Sequence, residues 1–176
     1  MQFALEYICH PSLPSEFGDE IITVLVQHAT DCDYSLPLAY YHTTSPVLHT
    51  SEALSLLFSA LSQTSTTEAL YFSRKYPEST RHLLFEKLVH GVLDGQGGGG
   101  NGARLKELIA LPFDGLEESW FAEYLTTGDG RRLNGAKNAV DTRLIVTGRF
   151  RQQIRTKDLQ SERHVAGVKR MARVSR

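Results

Sequence analysis

The sequence predicts an all-α protein, an irregular α-solenoid of stacked antiparallel helices with a basic C-terminal tail. Three observations carry the prediction. Apolar residues recur at i, i+3, i+4 and i+7 over most of the first 148 residues, and no stretch alternates convincingly with the period of two that a strand requires. The periodic segments are roughly 8–16 residues long and are separated by short joints, which seats consecutive helices as antiparallel neighbours. No internal repeat of fixed period is present, so the stack is expected to be irregular.

Taken in order, Phe3, Ala4, Tyr7 and Ile8 give one or two amphipathic turns, broken by His10-Pro11-Ser12-Leu13-Pro14. The chain opens directly in this pattern, so the domain is expected to start further upstream. A second helix is predicted from about Glu16 to Ala29, with Phe17, Ile21, Val24, Leu25 and His28 on one side. After Asp31-Cys32-Asp33, a third runs from Ser35 to about Thr43. Ser35 is placed as its cap and Pro37 in its first turn, where a missing N–H costs nothing.

The stretch Pro46–Pro77 reads as a helical hairpin around which the rest is organised. Its first helix starts after Thr50 or Ser51 and carries Ala53, Leu54, Leu57, Phe58 and Leu61. Ser65-Thr66-Thr67-Glu68 then fits a capping box, with the Ser65 hydroxyl accepting from the Glu68 N–H and the Glu68 carboxylate accepting from the Ser65 N–H. The second helix shows Ala69, Leu70, Phe72 and Ser73.

Residues 77–93 form the longest helix, with Leu84, Phe85, Leu88, Val89, Val92 and Leu93 as a broad stripe. Residues 95–102 read as a flexible Gly-rich loop. Leu105, Leu108 and Ile109 belong to a short helix stopping at Pro112. Asp114-Gly115-Leu116-Glu117 has the form of another cap, before a helix holding Trp120, Phe121, Tyr124 and Leu125. Residues 133–148 make the last clear helix, with Ala136, Ala139, Val140, Leu144 and Thr147; a further one is expected within 157–174. The domain division is therefore a helical domain over 1–148, the loop 95–102 within it, and a tail over 149–176.

Formal net charge is −1, which by itself points to neither nucleic acid nor membrane. The distribution is more telling. Residues 1–100 hold 4 Lys/Arg against 11 Asp/Glu, whereas residues 149–176 hold 9 against 2. Such a tail is either solvated or a contact for acidic partners or nucleic acid; Arg149, Arg151, Arg155, Lys169, Arg170 and Arg173 are its candidate contacts. Cys9 and Cys32 form no CxxC and suit a reducing compartment. No signal peptide and no membrane-spanning run is expected.

Chemistry is hard to find. Gly97-x-Gly99-x-x-Gly102 matches a dinucleotide pattern literally, but the segment entering it is helical rather than a strand. His82, Glu86 and His90 share a helix face without an identifiable further ligand, and read as a solvated face. Glu117 and Glu118 point in different directions on a helix and favour its N-terminus electrostatically. Trp120, Phe121 and Tyr124 are the densest aromatic cluster, read as core, with a partner anchor as the alternative.

Four pieces stand out by their order: Leu38-Ala39-Tyr40-Tyr41 followed by Pro46; Thr67-Glu68-Ala69-Leu70-Tyr71-Phe72-Ser73-Arg74; Leu111-Pro112-Phe113 with Glu117-Glu118; and Ala139 to Arg149, ending Thr147-Gly148-Arg149. In that order they resemble the helical domain of ELYS-type nucleoporins, especially the short fungal form, across about residues 1–150. The resemblance implies a structural subunit of the nuclear pore complex, attached to the Y-shaped subcomplex and supporting pore assembly and nucleocytoplasmic transport. The neighbours it implies are the short-arm nucleoporin with a β-propeller and a helical domain, and a small WD-repeat nucleoporin. It implies no enzymatic activity and no cofactor. The alternative function is a helical nucleic-acid or chromatin-binding module acting through the tail.

Overall fold

The structure, a computed structural model, describes residues 17–95 and 101–149. Among these residues there are eight α-helices and no strand. They are α1 (Gly18–Gln27), α2 (Ser35–Thr44), α3 (Ser51–Thr64), α4 (Thr66–Ser73), α5 (Glu78–Leu93), α6 (Asn101–Ala110), α7 (Gly115–Thr126) and α8 (Ala136–Val146). A 3-10 turn, Asp129–Arg132, joins α7 to α8. The expected helices within 2–9 and 157–174 lie outside the described residues, as do residues 96–100 of the expected Gly-rich loop.

Most of the periodic apolar positions become one continuous core. The stripe expected on α1 does not: Phe17, Val24 and His28 are exposed and Ile21 and Leu25 only half-buried, because α1 packs on α3 and Pro46 through Gly18 and Ile22, which are buried instead. All six stripe residues of α5 are buried, as are Ala53, Leu57, Phe58 and Leu61 of α3 and Ala69, Leu70, Phe72 and Ser73 of α4. Each fully buried Leu or Phe contributes roughly 1.5–3 kcal/mol relative to an exposed one, so this shared interior dominates the stability. Neighbours in sequence pack together from α1 through α6, and α7 packs on α8. A second set of contacts skips one helix: α1 on α3, α3 on α5 and α5 on α7, with α4 on α6 and α6 on α8.

Side chains close the helix ends much as their chemistry suggests. Thr50 Oγ1 accepts from the Ala53 N–H at 3.3 Å to start α3. The Asp19 carboxylate of α1 accepts from the Thr50 N–H at 2.7 Å and the His49 N–H at 3.1 Å, fixing α1 to that same start. Asp114 and Glu117 form a complete capping box at α7.

The differences from expectation have local causes. Ser65 Oγ accepts from the Glu68 N–H at 3.2 Å, but the reciprocal arm is missing. The Ser65 N–H is already committed to Leu61 O at 2.8 Å, because Ser65 is at once the last cap of α3 and the first of α4. Ser35 is the first residue of α2 rather than its cap; the Asp33 carboxylate accepts its N–H at 3.0 Å. Asn101 and Gly102, read as loop, begin α6. The helix expected over 133–148 starts only at Ala136, after the 3-10 turn. That turn needs glycine at 130, where a Cβ would come within 3.0 Å of the Tyr124 ring and Leu125. On α8 the third buried residue beside Ala136 and Ala139 is Arg143, not Leu144.

Candidate functional site

The four sequence pieces singled out above come together in space through two features. The first is a groove between α2 and α4, lined by Tyr41, His42, Leu61, Glu68, Tyr71, Phe72 and Lys75. Its floor is aromatic: the Tyr41 and Phe72 rings meet edge to face, 5.7 Å between centroids. Lys75 Nζ donates to Tyr41 Oη at 3.0 Å and lies 5.5 Å from the Tyr41 ring centre. His42 and Glu68 face each other across the rim at 3.6 Å. Tyr71 is half exposed, with the Arg74 guanidinium over its ring. An apolar side chain fits such a floor, and the rim supplies both signs of charge to orient it.

The second feature is a clasp of charges. Glu117, 0% exposed, accepts from Arg74 Nε at 2.9 Å and Arg74 NH2 at 2.7 Å, and also from Arg81. Arg74 NH2 further donates to Pro112 O at 2.7 Å, and Arg81 also pairs with Asp114. Desolvation pushes the Glu117 carboxyl up, but the Arg74 and Arg81 hydrogen bonds and the Asp114 N–H outweigh it and hold it below the ordinary range. Around α8, buried Arg143 donates to Glu118 Oε1 at 2.7 Å and to Leu111 O at 2.6 Å, and also reaches Ile109 O. Its guanidinium stacks 4.1 Å from the Phe113 ring centre. Arg74, Pro112, Glu117, Glu118 and Arg143 thus tie α4, the 111–114 joint, α7 and α8 into one assembly.

The candidate residues fall differently. Trp120, Phe121 and Tyr124 are at most 8% exposed, packed against Phe85, Phe113 and His82 or bonded to His90. Arg149 is exposed and lies 3.8 Å from Glu118. Arg151, Arg155, Lys169, Arg170 and Arg173 lie outside the described residues. His82 and Glu86 pair at 3.5 Å, while His90 turns away to the Tyr124 hydroxyl. Sequence reasoning gave Glu117 a cap and a favourable place at the helix N-terminus, but not its ion pairs, and missed Arg81 and Arg143. A signal for Arg143 existed, since it follows Ala136, Ala139 and Val140 at the next position of one helical stripe.

The model of the ELYS family, described as nuclear pore complex assembly, matches residues 1–128 of the 176. The chain belongs to the ELYS family. This is a structural, non-enzymatic kind of protein, and membership places the chain at the nuclear pore, among nucleoporins. No curated protein and no solved structure gives a significant match. The ELYS match takes in the groove, Arg74, Arg81 and Glu117, whereas α8 lies beyond it and is held to the matched part by Arg143.

Proposed function

We propose that this ELYS-family chain is a scaffold subunit of the nuclear pore, attached to the Y-shaped subcomplex and supporting pore assembly and nucleocytoplasmic transport. The family match over residues 1–128 carries the reading. The helix contacts support an irregular solenoid: one row runs α1, α3, α5, α7 and a second runs α4, α6, α8. The helical domain on this reading is 1–148, followed by a basic tail. Its partner is the short-arm nucleoporin with a propeller and helical domain, with the small WD-repeat nucleoporin as a further neighbour.

We place the contact at the groove between α2 and α4. Trp120, Phe121 and Tyr124 are occupied in the core, whereas Tyr71 offers an exposed ring on an aromatic floor, the kind of residue that anchors interfaces. The tail arginines and lysines from Arg149 onward are proposed as a supplementary contact for an acidic partner, with nucleic acid as the alternative. The full chain and the short-arm nucleoporin should co-migrate on size exclusion at micromolar concentration. The double change Tyr71→Ala, Lys75→Glu should separate them without altering the far-UV spectrum. Separate migration of the unaltered chain would remove the Y-complex assignment; co-migration of the variant would move the contact off the groove.

A further inference from the structure

A second cleft lies on a different part of the molecule, between α3, α5 and α6. It is lined by Ser59, Ser62, Gln63, Lys87, His90, Gly91 and Arg104. A lysine and an arginine flank it. Lys87 Nζ donates to the hydroxyl and carbonyl of Ser55, and Arg104 NH2 donates to the carbonyl of Ser62. These acceptors are all neutral. Among the described residues neither cation has a carboxylate partner, whereas the clasp arginines Arg74, Arg81 and Arg143 each have one. Lys87 is exposed and Arg104 half-buried, so both can reach an incoming anion, and partial desolvation presses the Lys87 ammonium below its ordinary pKa. The floor is open, since a Cβ added at Gly91 would meet nothing within 4 Å.

We propose that this cleft receives an acidic side chain from a partner protein, its carboxylate seated between Lys87 and Arg104 over Gly91. The size and lining of the cleft favour a single carboxylate over a polyanion. The cleft encloses about 130 Å³ and offers two cations among serines rather than an extended basic face, room for one carboxylate and not for a run of phosphates. A single acidic residue on an otherwise neutral or apolar segment fits that space and gains both charge-assisted donors. The inference is independent of the groove between α2 and α4, and of which nucleoporin binds there.

The test uses the full-length chain and fluorescence anisotropy of a labelled peptide with one glutamate among alanines and glycines. The matching glutamine peptide, acetate, inorganic phosphate and a single-stranded oligonucleotide serve as competitors. The glutamate peptide should bind, the glutamine peptide should be at least tenfold weaker, and Lys87→Gln or Arg104→Gln should each cost a further tenfold. Gly91→Leu fills the floor without touching either charge and should abolish binding while the thermal unfolding midpoint holds or rises. Three results would each overturn the proposal: equal binding of the two peptides, undiminished binding by the Gly91→Leu protein, or displacement by the oligonucleotide at lower concentration than by the free glutamate peptide. Displacement by phosphate at a concentration where acetate has no effect would likewise exclude a carboxylate site.

Discussion

Around α3 and α4 the helices meet through Leu57, Phe58, Leu61, Leu70 and Phe72, all buried and none charged. Where α7 meets α5 and the end of α4, and α8 meets α6 and α7, the contact instead includes Arg74, Arg81, Glu117, Glu118 and Arg143, with Glu117 and Arg143 among the buried residues. The two regions share one core, yet they are fixed by different physics. Apolar burial is non-directional and scales with area, so the first region tolerates small rotations of one helix on another. A buried carboxylate between two guanidinium groups has value only in one geometry, and breaking it leaves charge stranded. The apolar region supplies stability; the charged seam supplies a unique placement of α7 and α8.

The contrast can be broken most sharply at Glu117. Glu117→Gln keeps the shape and removes the charge, and should cost about 3–5 kcal/mol in denaturant unfolding, because Arg74 and Arg81 lose their buried counter-charge. Leu57→Ala, the matched cut in the apolar region, should cost about 3 kcal/mol through transfer and cavity terms. If Glu117→Gln costs less than a tenth of Leu57→Ala, the seam is ornamental and the distinction fails.

Acid sharpens the same comparison with a smaller effect. Glu117 and Asp114 are both held below their ordinary values of 4.5 and 3.8: desolvation raises each, but hydrogen bonds and cationic partners outweigh it. Their stabilisation is therefore complete above those ordinary values and is lost as pH falls through the lower native ones. The unaltered protein should lose stability on acidification below pH 4.5 more steeply than the Glu117→Gln protein. Parallel curves would show that the clasp does not titrate with folding.

The smallest effect is expected at Thr50, whose hydroxyl starts α3 in the apolar region. Thr50→Ala should lower stability by about 1 kcal/mol, as loss of an N-cap generally does. The Asp19 bonds to the His49 and Thr50 N–H groups remain, so the helix should keep its start.

Around α3, α4 and α5 the apolar region was almost wholly legible in the sequence, because periodicity there reports burial; on α1 it does not, since Phe17 and Val24 of the expected stripe are exposed and Ile22 is buried. Every stripe residue expected on α5 is buried, and the ends of α3 fall where Thr50 and Ser65 place them. The charged seam was not legible, because ion pairs across 25 to 43 positions leave no local period. Only its cap, Asp114 to Glu117, could be read, since those residues lie three apart. The groove was half legible. Its residues sit in two conspicuous pieces, Leu38 to Tyr41 and Thr67 to Arg74, but nothing in one dimension says that Tyr41 and Phe72 touch.

The one-residue joint at Ser65 has a consequence for both regions at once. With Ser65 ending α3 and starting α4, no slack separates the two helices, so α4 is clocked by α3. One added residue there would turn α4 by about 100° about its axis. Tyr71 and Arg74 stand three apart on that axis, one serving the groove and the other the clasp. They would swing out together, so the joint acts as a phase lock that keeps the outward-facing surface and the inward-facing seam in register.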